Sequence, residues 1–562
     1  MTEIKRRKGI QYRHLGRYGE ILSILVKYGF GDLLSRLNVQ RYLRAGRKLF
    51  KVKPREQIES ISRWDRVRMA FEELGPTFIK LGQFAANRPD ILPPELITAL
   101  SRLQDAVPPF PEENSVTIIE QELKKPITSL YKSFERTPFA SASIAQVHKA
   151  VLHDDTLVAV KVQRPSISER ISTDLEILHF IASLAEKHFP DIEPFNILQL
   201  VSEFSSALQK ELDFSIEMLH TNIFAGNFKN DPDVKIPTVY KEFSGRRVIT
   251  TEFIHGIKIS NVAMLIDNGF VPAEIARKGA SSVLKQIFVH GFFHADPHAG
   301  NILITKSGEI CFLDLGMTGI LTQTSRQKLM EVVIGVVRND PSHIVRIFQE
   351  FSNAIIEKKD ELEYEISELM QEYASRTLGT IHIGDLFNRL SKLLIVYRIR
   401  LIPGFYLLVK ALATVEGIGL TLDPQFNMME SLEPFVKKMI QQQYNPVSIA
   451  TDGIDTLREY YNFLRDLPFE TRDILYMLKN GRVRIEFEHR GLEPVLKKVD
   501  QTVNRLVFSL VLAALVIGSS VVILSNIPPK IYGIPLVGIA GFLTAGIMAF
   551  SLLISIIRNE RM

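Results

Sequence analysis

Hydrophobic and polar positions change period several times along this 562-residue chain, and each change marks a different kind of element. Ile302, Leu303 and Ile304 run into Lys306-Ser307-Gly308, and Ile310-Cys311-Phe312-Leu313 returns to Asp314-Leu315-Gly316. Two short apolar runs around a turn signal predict a β-hairpin with polar residues at both edges. Upstream, Phe139–Lys149 and Leu157–Val162 read as strands, and Val248–Gly256 as a strand ending in a glycine turn. Gln209–Met218 reads as helix. So does Phe71–Gln83, where Pro76 after Gly75 starts a new helix and Lys80 and Gln83 share a face. Residues 330–500 are mostly helical in pattern: Leu407–Gly417 is an apolar helix, and Arg482–His489 alternates as one strand. Leu506–Leu524 and Ile534–Ile557 are uncharged and apolar, each long enough to cross hydrocarbon as a helix, with Ser525–Gly533 breaking them.

The predicted hairpin carries chemistry at fixed offsets. His294-x-Asp296 is followed five residues later by Asn301, and Asp314-Leu-Gly comes thirteen after that. This is the order and spacing of a protein-kinase catalytic loop and its metal-binding Asp-Phe-Gly. Phosphoryl transfer needs magnesium bridging the phosphates, oxygen ligands for the metal, and a carboxylate near the attacking oxygen. Asn301 and Asp314 supply the ligands, and Asp296 orients a hydroxyl or water or accepts its proton. Any one of these alone would be read as a loop cap; the four together at these offsets would not. His294 and His298 resemble a metal run, but a lone histidine of this kind braces its loop through hydrogen bonds.

Upstream strands add the nucleotide side. Ala140, Ala142, Ala145 and Val147 occupy the positions of a Gly-x-Gly-x-x-Gly-x-Val loop, with Ser141, Ser143 and Ile144 among them, and Val158-Ala-Val-Lys161 matches the strand whose lysine pairs the α- and β-phosphates. Alanine adds a Cβ that disfavours positive φ, so this loop is expected to be stiffer than a glycine loop. Lys161 needs a carboxylate. Glu211, Asp213 and Glu217 are the candidates; on a regular helix Asp213 and Glu217 share a face, and Glu217 is the choice. Backbone near Glu252 and Ile254 would form the hinge that contacts adenine.

Charge and cysteine usage narrow the setting. Net charge is +5, but residues 1–55 hold 15 Lys/Arg against 3 Asp/Glu. The apolar face Ile21–Val26, flanked by Lys5–Lys8 and by Arg41, Arg44, Arg47 and Lys48, suits either an anionic membrane surface or a packed helix with a solvated basic side. No nucleic-acid motif appears, nor a secretory signal. The sole cysteine, Cys311, excludes an intrachain disulfide and suits a reducing, cytoplasmic-facing body. Gly541, Ala545 and Ala549 form a small-residue face, with Ala514 and Gly518 as its expected opposite; such faces also allow a dimer through the membrane helices. Lys497, Lys498 and Arg505 precede the apolar runs and Arg558 and Arg561 follow, against Lys530 between them. The positive-inside bias predicts two spans of the cell membrane with both flanks cytoplasmic.

Four signatures occur together and in order: Lys80-Leu-Gly-Gln83, the alanine-rich loop 140–147, Glu211-Leu-Asp213, and His294-Ala-Asp-Pro-His-Ala-Gly-Asn301. In this the chain resembles the UbiB family of atypical kinase-like proteins tied to isoprenoid quinone synthesis. The resemblance spans roughly residues 60–330 by motif. It implies an α+β, two-lobed kinase-like fold using ATP and Mg2+, with ATPase activity favoured over transfer to protein. A true kinase of a small lipid or protein, and a nucleotide-binding scaffold, are the alternatives. It also implies that the helix bearing Lys80 and Gln83 folds over the cleft to meet Glu211 and Asp213 as a gate. Partners would be a membrane lipid or quinone precursor and quinone-biosynthesis enzymes. The expected divisions are a basic region at 1–60, a helical extension at 61–125, an N-lobe at 126–260, a C-lobe at 261–470, a linker at 471–505 and the membrane hairpin at 506–557. Leu315 replaces the kinase phenylalanine, and no Ala-Pro-Glu follows, so the peptide-docking segment of protein kinases is missing.

Overall fold

The computed structural model describes residues 15–31, 61–86, 88, 92–103, 108–188, 196–352, 358–375, 404–443, 493–525, 527–531 and 534–559, with Arg465 and scattered positions from 386 to 399. The basic clusters at 5–8 and 41–48, the alternating run 482–489 and most of the 471–505 stretch lie outside these residues. The chain divides into two compact units, Met1–Ser448 and Ile449–Met562.

In the first unit, helices come first: α1 (Leu15–Lys27), α2 (Arg63–Leu74), α3 (Pro76–Ala86), α4 (Pro94–Leu100), α5 (Glu112–Leu123) and α6 (Ile127–Leu130). Ser62 caps α2 by accepting from the Asp65 amide, and Gly75, at φ 96°, makes the corner before Pro76. Ile21, Leu22, Ile24 and Val26 on α1 are buried, the packed-helix alternative for that stretch. Arg17 anchors α1 by donating from Nε to Asp174 at 2.7 Å and from Nη2 to the Leu74 carbonyl at 2.7 Å.

An antiparallel sheet follows, built from β1 (Ser133–Phe134), β2 (Ala140–Ser141), β3 (Ala145–Val151), β4 (Leu157–Gln163) and, beyond three α-helices, β6 (Val248–Glu252). The intervening helices are α7 (Ile167–His188), α8 (Ile197–Glu211) and α9 (Phe214–Asn227), and β5 (Val234–Lys235) precedes β6. Val158, Val160 and Val162 alternate inward on β4, which leaves Lys161 on the opposite face.

Below the sheet come β7 (Gly256–Lys258), α10 (Val262–Asp267), α11 (Pro272–Leu284), a π-helical turn at Lys285–His290, and β8 (Phe292–His294). The expected hairpin forms as β9 (Ile302–Thr305) and β10 (Ile310–Phe312), with Gly308 in the turn at φ 81°. β5, β10, β9 and β7 make one sheet, while β8 pairs with β11 (Thr318–Ile320) in a second ladder that the sequence pattern did not reveal. Helices α12 (Gln323–Arg338), α13 (Pro341–Ser352), α14 (Lys359–Ser375), α15 (Phe405–Leu422) and α16 (Met428–Gln443) complete the unit. Leu284, Ile302, Phe312, Leu408 and Leu412 belong to one apolar cluster, so the hairpin, α11 and α15 share a core. Mixed helix and sheet in two β-bearing layers is the kinase-like α+β arrangement.

In the second unit, α17 (Glu493–Leu524) starts upstream of the apolar run, β12 (Lys530–Ile531) pairs with β13 (Ile534–Pro535), and α18 (Leu536–Asn559) returns. Thr502–Leu524 is long and apolar enough to cross a membrane; the apolar part of α18 described as such is the shorter Leu536–Ser551. The helices pack through Gly538 and Gly541. A Cβ on Gly538 would lie 2.4 Å from Ile523, and one on Gly541 2.1 Å from the Ser519 hydroxyl. Ala545 is buried as expected, but Ala514 and Gly518 face outward, and Ser519 and Ile523 take the place expected of them. The reason is register: positions 519 and 523 lie one residue round the helix from 514 and 518.

Candidate functional site

The site begins on β4. Lys161 Nζ lies 2.8 Å from Glu217 Oε2, in the first turn of α9, and 3.2 Å from Asp314 Oδ2, just past β10. The chosen partner for Lys161 is therefore the one the fold supplies. Burial pushes Glu217 up and Lys161 opposes it, with the outcome about 7. Burial also pushes Asp314 up, but Lys161 and the Gly316 amide outweigh it and hold the carboxyl well below its usual range.

The expectation that Asp213 and Glu217 share a helix face fails. The chain breaks between α8 and α9: Asp213 is extended at φ −107°, ψ 96° and caps α9 by accepting from the Ser215 amide at 3.1 Å. The break is held by Gln163, which donates to the Leu212 carbonyl at 2.8 Å, and by the Phe214 amide, which donates to the Arg246 carbonyl at 2.9 Å. The turn places Glu211 and Asp213 differently. Lys80 Nζ meets Glu211 at 2.7 Å, whereas Asp213 Oδ2 accepts from Arg246 Nε at 3.0 Å. Gln83 donates to the Leu103 carbonyl at 3.4 Å, within the extension itself. Of the four residues expected to meet, Lys80 and Glu211 are in contact, while Gln83 and Asp213 bond to Leu103 and Arg246 instead.

Gly82 in that signature has a steric reason. A Cβ there would sit 2.2 Å from Leu103 Cδ1 and 3.0 Å from Phe71 Cδ2. Gly82→Ala is expected to cost about 1–3 kcal/mol by overpacking; a denaturation midpoint equal to the parent's would show the helix packs more loosely.

The alanine-rich loop joins β2 to β3. Ala140 and Ser141 pair with Val147 and Gln146, and the Ala142 amide donates to the Ala145 carbonyl at 2.8 Å. None of residues 140–147 is among the positive-φ positions of the described chain, so the loop takes a shape alanine accepts. Ser143, Ile144 and Ala145 are buried. Arg164, which the sequence reading passed over, braces the loop from behind: Nε donates to the Ala142 carbonyl at 3.0 Å, and Nη2 to Ser141 Oγ at 2.9 Å and to the Pro108 carbonyl at 2.9 Å. Ala142→Gly is expected to change the ratio of ATP to ADP affinity by about threefold, the scale of glycine's added freedom; an unchanged ratio would place the loop away from the phosphates.

At the expected hinge position, the Glu252 side chain accepts from Thr238 Oγ1 at 3.1 Å and lies 2.9 Å from Lys235, and its amide donates to the Thr238 carbonyl at 2.8 Å. Among the described residues the Ile254 amide and carbonyl have no hydrogen-bond partner.

The loop after β8 holds the remaining groups. His294 is buried, with Nδ1 3.3 Å from the Asp296 amide, and it braces the loop as expected. His298 caps the short turn into Asn301, accepting from the Gly300 amide at 3.1 Å. The Asn301 carbonyl accepts from the Leu313 amide at 2.9 Å, which ties the loop to the strand end at Asp314. The Asn301 side-chain amide has no partner among the described residues. A carboxylate and a neutral amide oxygen suit magnesium, which takes few protein ligands and completes its shell with phosphate and water. Asp296 Oδ1 lies 2.9 Å from Lys410 Nζ on α15, a contact the sequence did not suggest. Lys410 sits in an apolar helical run far down the chain and read as lobe core.

These elements define a kinase-like protein. The profile of the ABC1 atypical kinase-like domain matches residues 102–348, that of the UbiB helical domain 366–427, and that of the ABC1/UbiB kinase-like C-terminal domain 490–558. The chain is 31% identical over 505 residues to a "Probable protein kinase UbiB" of Xanthomonas campestris pv. campestris (strain B100), covering 87% of this chain and 90% of that one. It is 32% identical over 553 residues to an "Uncharacterized protein in hydrogenase 1 5'region" of Clostridium pasteurianum, covering 97% of this chain and 99% of that one. The chain belongs to the UbiB family of atypical kinase-like proteins.

Proposed function

We propose that this protein is a membrane-anchored ATPase that supports the making or handling of an isoprenoid quinone precursor. The observation that carries the nucleotide part is Lys161 held between Glu217 at 2.8 Å and Asp314 at 3.2 Å, beside a loop presenting Asp296 and Asn301. Lys161 would meet the α- and β-phosphates, residues 140–147 would cover them, and the Glu252 carbonyl and Ile254 amide would read the base edge. Asn301 and Asp314 would hold magnesium, which neutralises charge on the phosphate oxygens. Asp296 orients water: the water oxygen bonds to the γ-phosphorus, the bond to the β-phosphate oxygen breaks, ADP leaves, and the water proton passes to Asp296 or phosphate. Water is the favoured acceptor: the Lys80–Glu211 ion pair would hold the Lys80 helix where a peptide would dock, and no Ala-Pro-Glu docking segment follows Asp314.

Membrane anchoring is supported by Thr502–Leu524, long and apolar enough to span; with α18 as a second span, the basic flanks would lie on the cytoplasmic side. The quinone link rests on the family and on its named relatives. The test is phosphate release by the full chain in vesicles, with and without an isoprenylated phenol. Magnesium-dependent release, raised by the phenol and lowered about 10²–10⁴-fold by Asp296→Asn, is expected. Tight ATP binding without release would favour a nucleotide-binding scaffold. Quinone levels in cells carrying Asp296→Asn test the pathway.

A further inference from the structure

We propose that Lys410 on α15 is a positioning residue of the phosphoryl-transfer site, fixing Asp296 and offsetting its charge beside the terminal phosphate. The inference rests on the ATPase reading above and adds to it a residue from a separate segment of the chain. Lys410 falls within the stretch matched by the UbiB helical domain, outside the matched kinase-like domain.

Three observations support it. The first is contact: Lys410 Nζ lies 2.9 Å from Asp296 Oδ1, and the side chains are 30% and 31% exposed, so the pair is open to solvent rather than sealed in the core. The second is rigidity. Leu408, Ala411, Leu412 and Val415 bury one face of α15 in the cluster that also contains Ile302 and Phe312 of the hairpin. Lys410 and Thr414 lie on another face, and Thr414 Oγ1 donates to the Lys410 carbonyl at 2.7 Å. The ammonium is therefore carried on an element locked to the site's own core. The third is electrostatic need. The run from Asp296 to Asn301 holds no Lys or Arg. Lys161, the cation at the other side of the cleft, is shared between Glu217 and Asp314. Without Lys410, a triphosphate would approach an uncompensated Asp296 carboxylate, and like charges at such range repel. With it, Asp296 keeps one orientation while its second oxygen, Oδ2, is left to engage water.

The experiment compares Lys410→Met and Lys410→Arg in the full chain, measuring ATP turnover and separately the affinities for MgATP and MgADP. Lys410→Met is expected to lower turnover about a hundredfold, the effect of a misplaced reacting group. It should also weaken MgATP binding several-fold more than MgADP binding, because the exposed carboxylate repels the terminal phosphate. Lys410→Arg should restore most of both. In an Asp296→Asn background, Lys410→Met should add little further loss, since both act on one group. Unchanged turnover with an unchanged ATP/ADP affinity ratio, or full additivity with Asp296→Asn, would overturn the assignment. So would an arginine variant that is folded, by melting temperature, yet as impaired as methionine. If the parent protein turns over no ATP, the ATPase reading fails, while the ATP/ADP affinity ratio still decides the placement of Lys410.

Discussion

Replacing Asp314 with Asn should lower magnesium-dependent ATP affinity by about a hundredfold while leaving the fold intact. The carboxylate offers the hard anionic oxygen a magnesium ion wants, and an amide is a much weaker donor. The fold survives because Lys161 keeps Glu217 at 2.8 Å, and the shared core of β9, β10 and α15 does not involve the Asp314 side chain. Titration of ATP with and without magnesium, by calorimetry, reads this directly. Equal affinities for parent and variant would remove the metal assignment.

The second large effect concerns Lys161→Met, and its size should depend on pH. The change strands Glu217, a side chain 11% exposed, without its cation. Removing one partner of a buried pair costs about 3–5 kcal/mol when the other stays charged. Burial already holds Glu217 up to about 7 against the pull of Lys161, so losing Lys161 raises it further. A carboxyl raised above its unfolded value stabilises fully below that unfolded value and loses the contribution as pH climbs through the folded one. Below about 7 Glu217 stays protonated in both folded proteins, so the variant's deficit should be smallest there and should grow as pH rises above about 7, where the parent's Glu217 ionises beside Lys161 and the variant's does not. Lys161→Met with Glu217→Gln should recover stability at neutral pH but not ATP binding. Unfolding free energies at several pH values check the first part; a pH-independent loss would mean Glu217 is solvated. Recovery of ATP binding in the double variant would mean that Lys161 never met phosphate.

Much of this site was legible because it is local. Asn301 and Asp314 flank one hairpin, where β-strand period and a glycine turn fix their spacing, and Asp296 lies on the short loop that leads into it. Lys161 and the loop 140–147 sit on adjacent strands for the same reason. Glu217 followed from the need for a carboxylate rather than from helical phase, and the phase argument itself failed. A break at Leu212–Asp213 is invisible to periodicity, because it depends on Gln163 and Arg246 reaching in from β4 and the β6 approach. Lys410 and Arg164 were missed for a related cause: their partners are brought together only by tertiary packing. The β8–β11 ladder escaped notice because each strand has only three residues, too short to show a period. In the C-terminal helical pair the small-residue face on α18 was read correctly at Gly541 and Ala545. Its opposite face was displaced by one position, an error that composition alone has no means to correct.

The central claim is a cleft in which a triphosphate and its cation are held between Lys161 and the Asn301–Asp314 pair. An experimental structure of the full chain with magnesium and a non-hydrolysable ATP analogue tests it most directly. The account requires the metal to bridge Asn301 Oδ1, Asp314 and the phosphates, with Lys161 on the α- and β-phosphates and the base against Ile254. A nucleotide bound elsewhere on the protein, with Lys161 still closed onto Glu217 and Asp314, would contradict it.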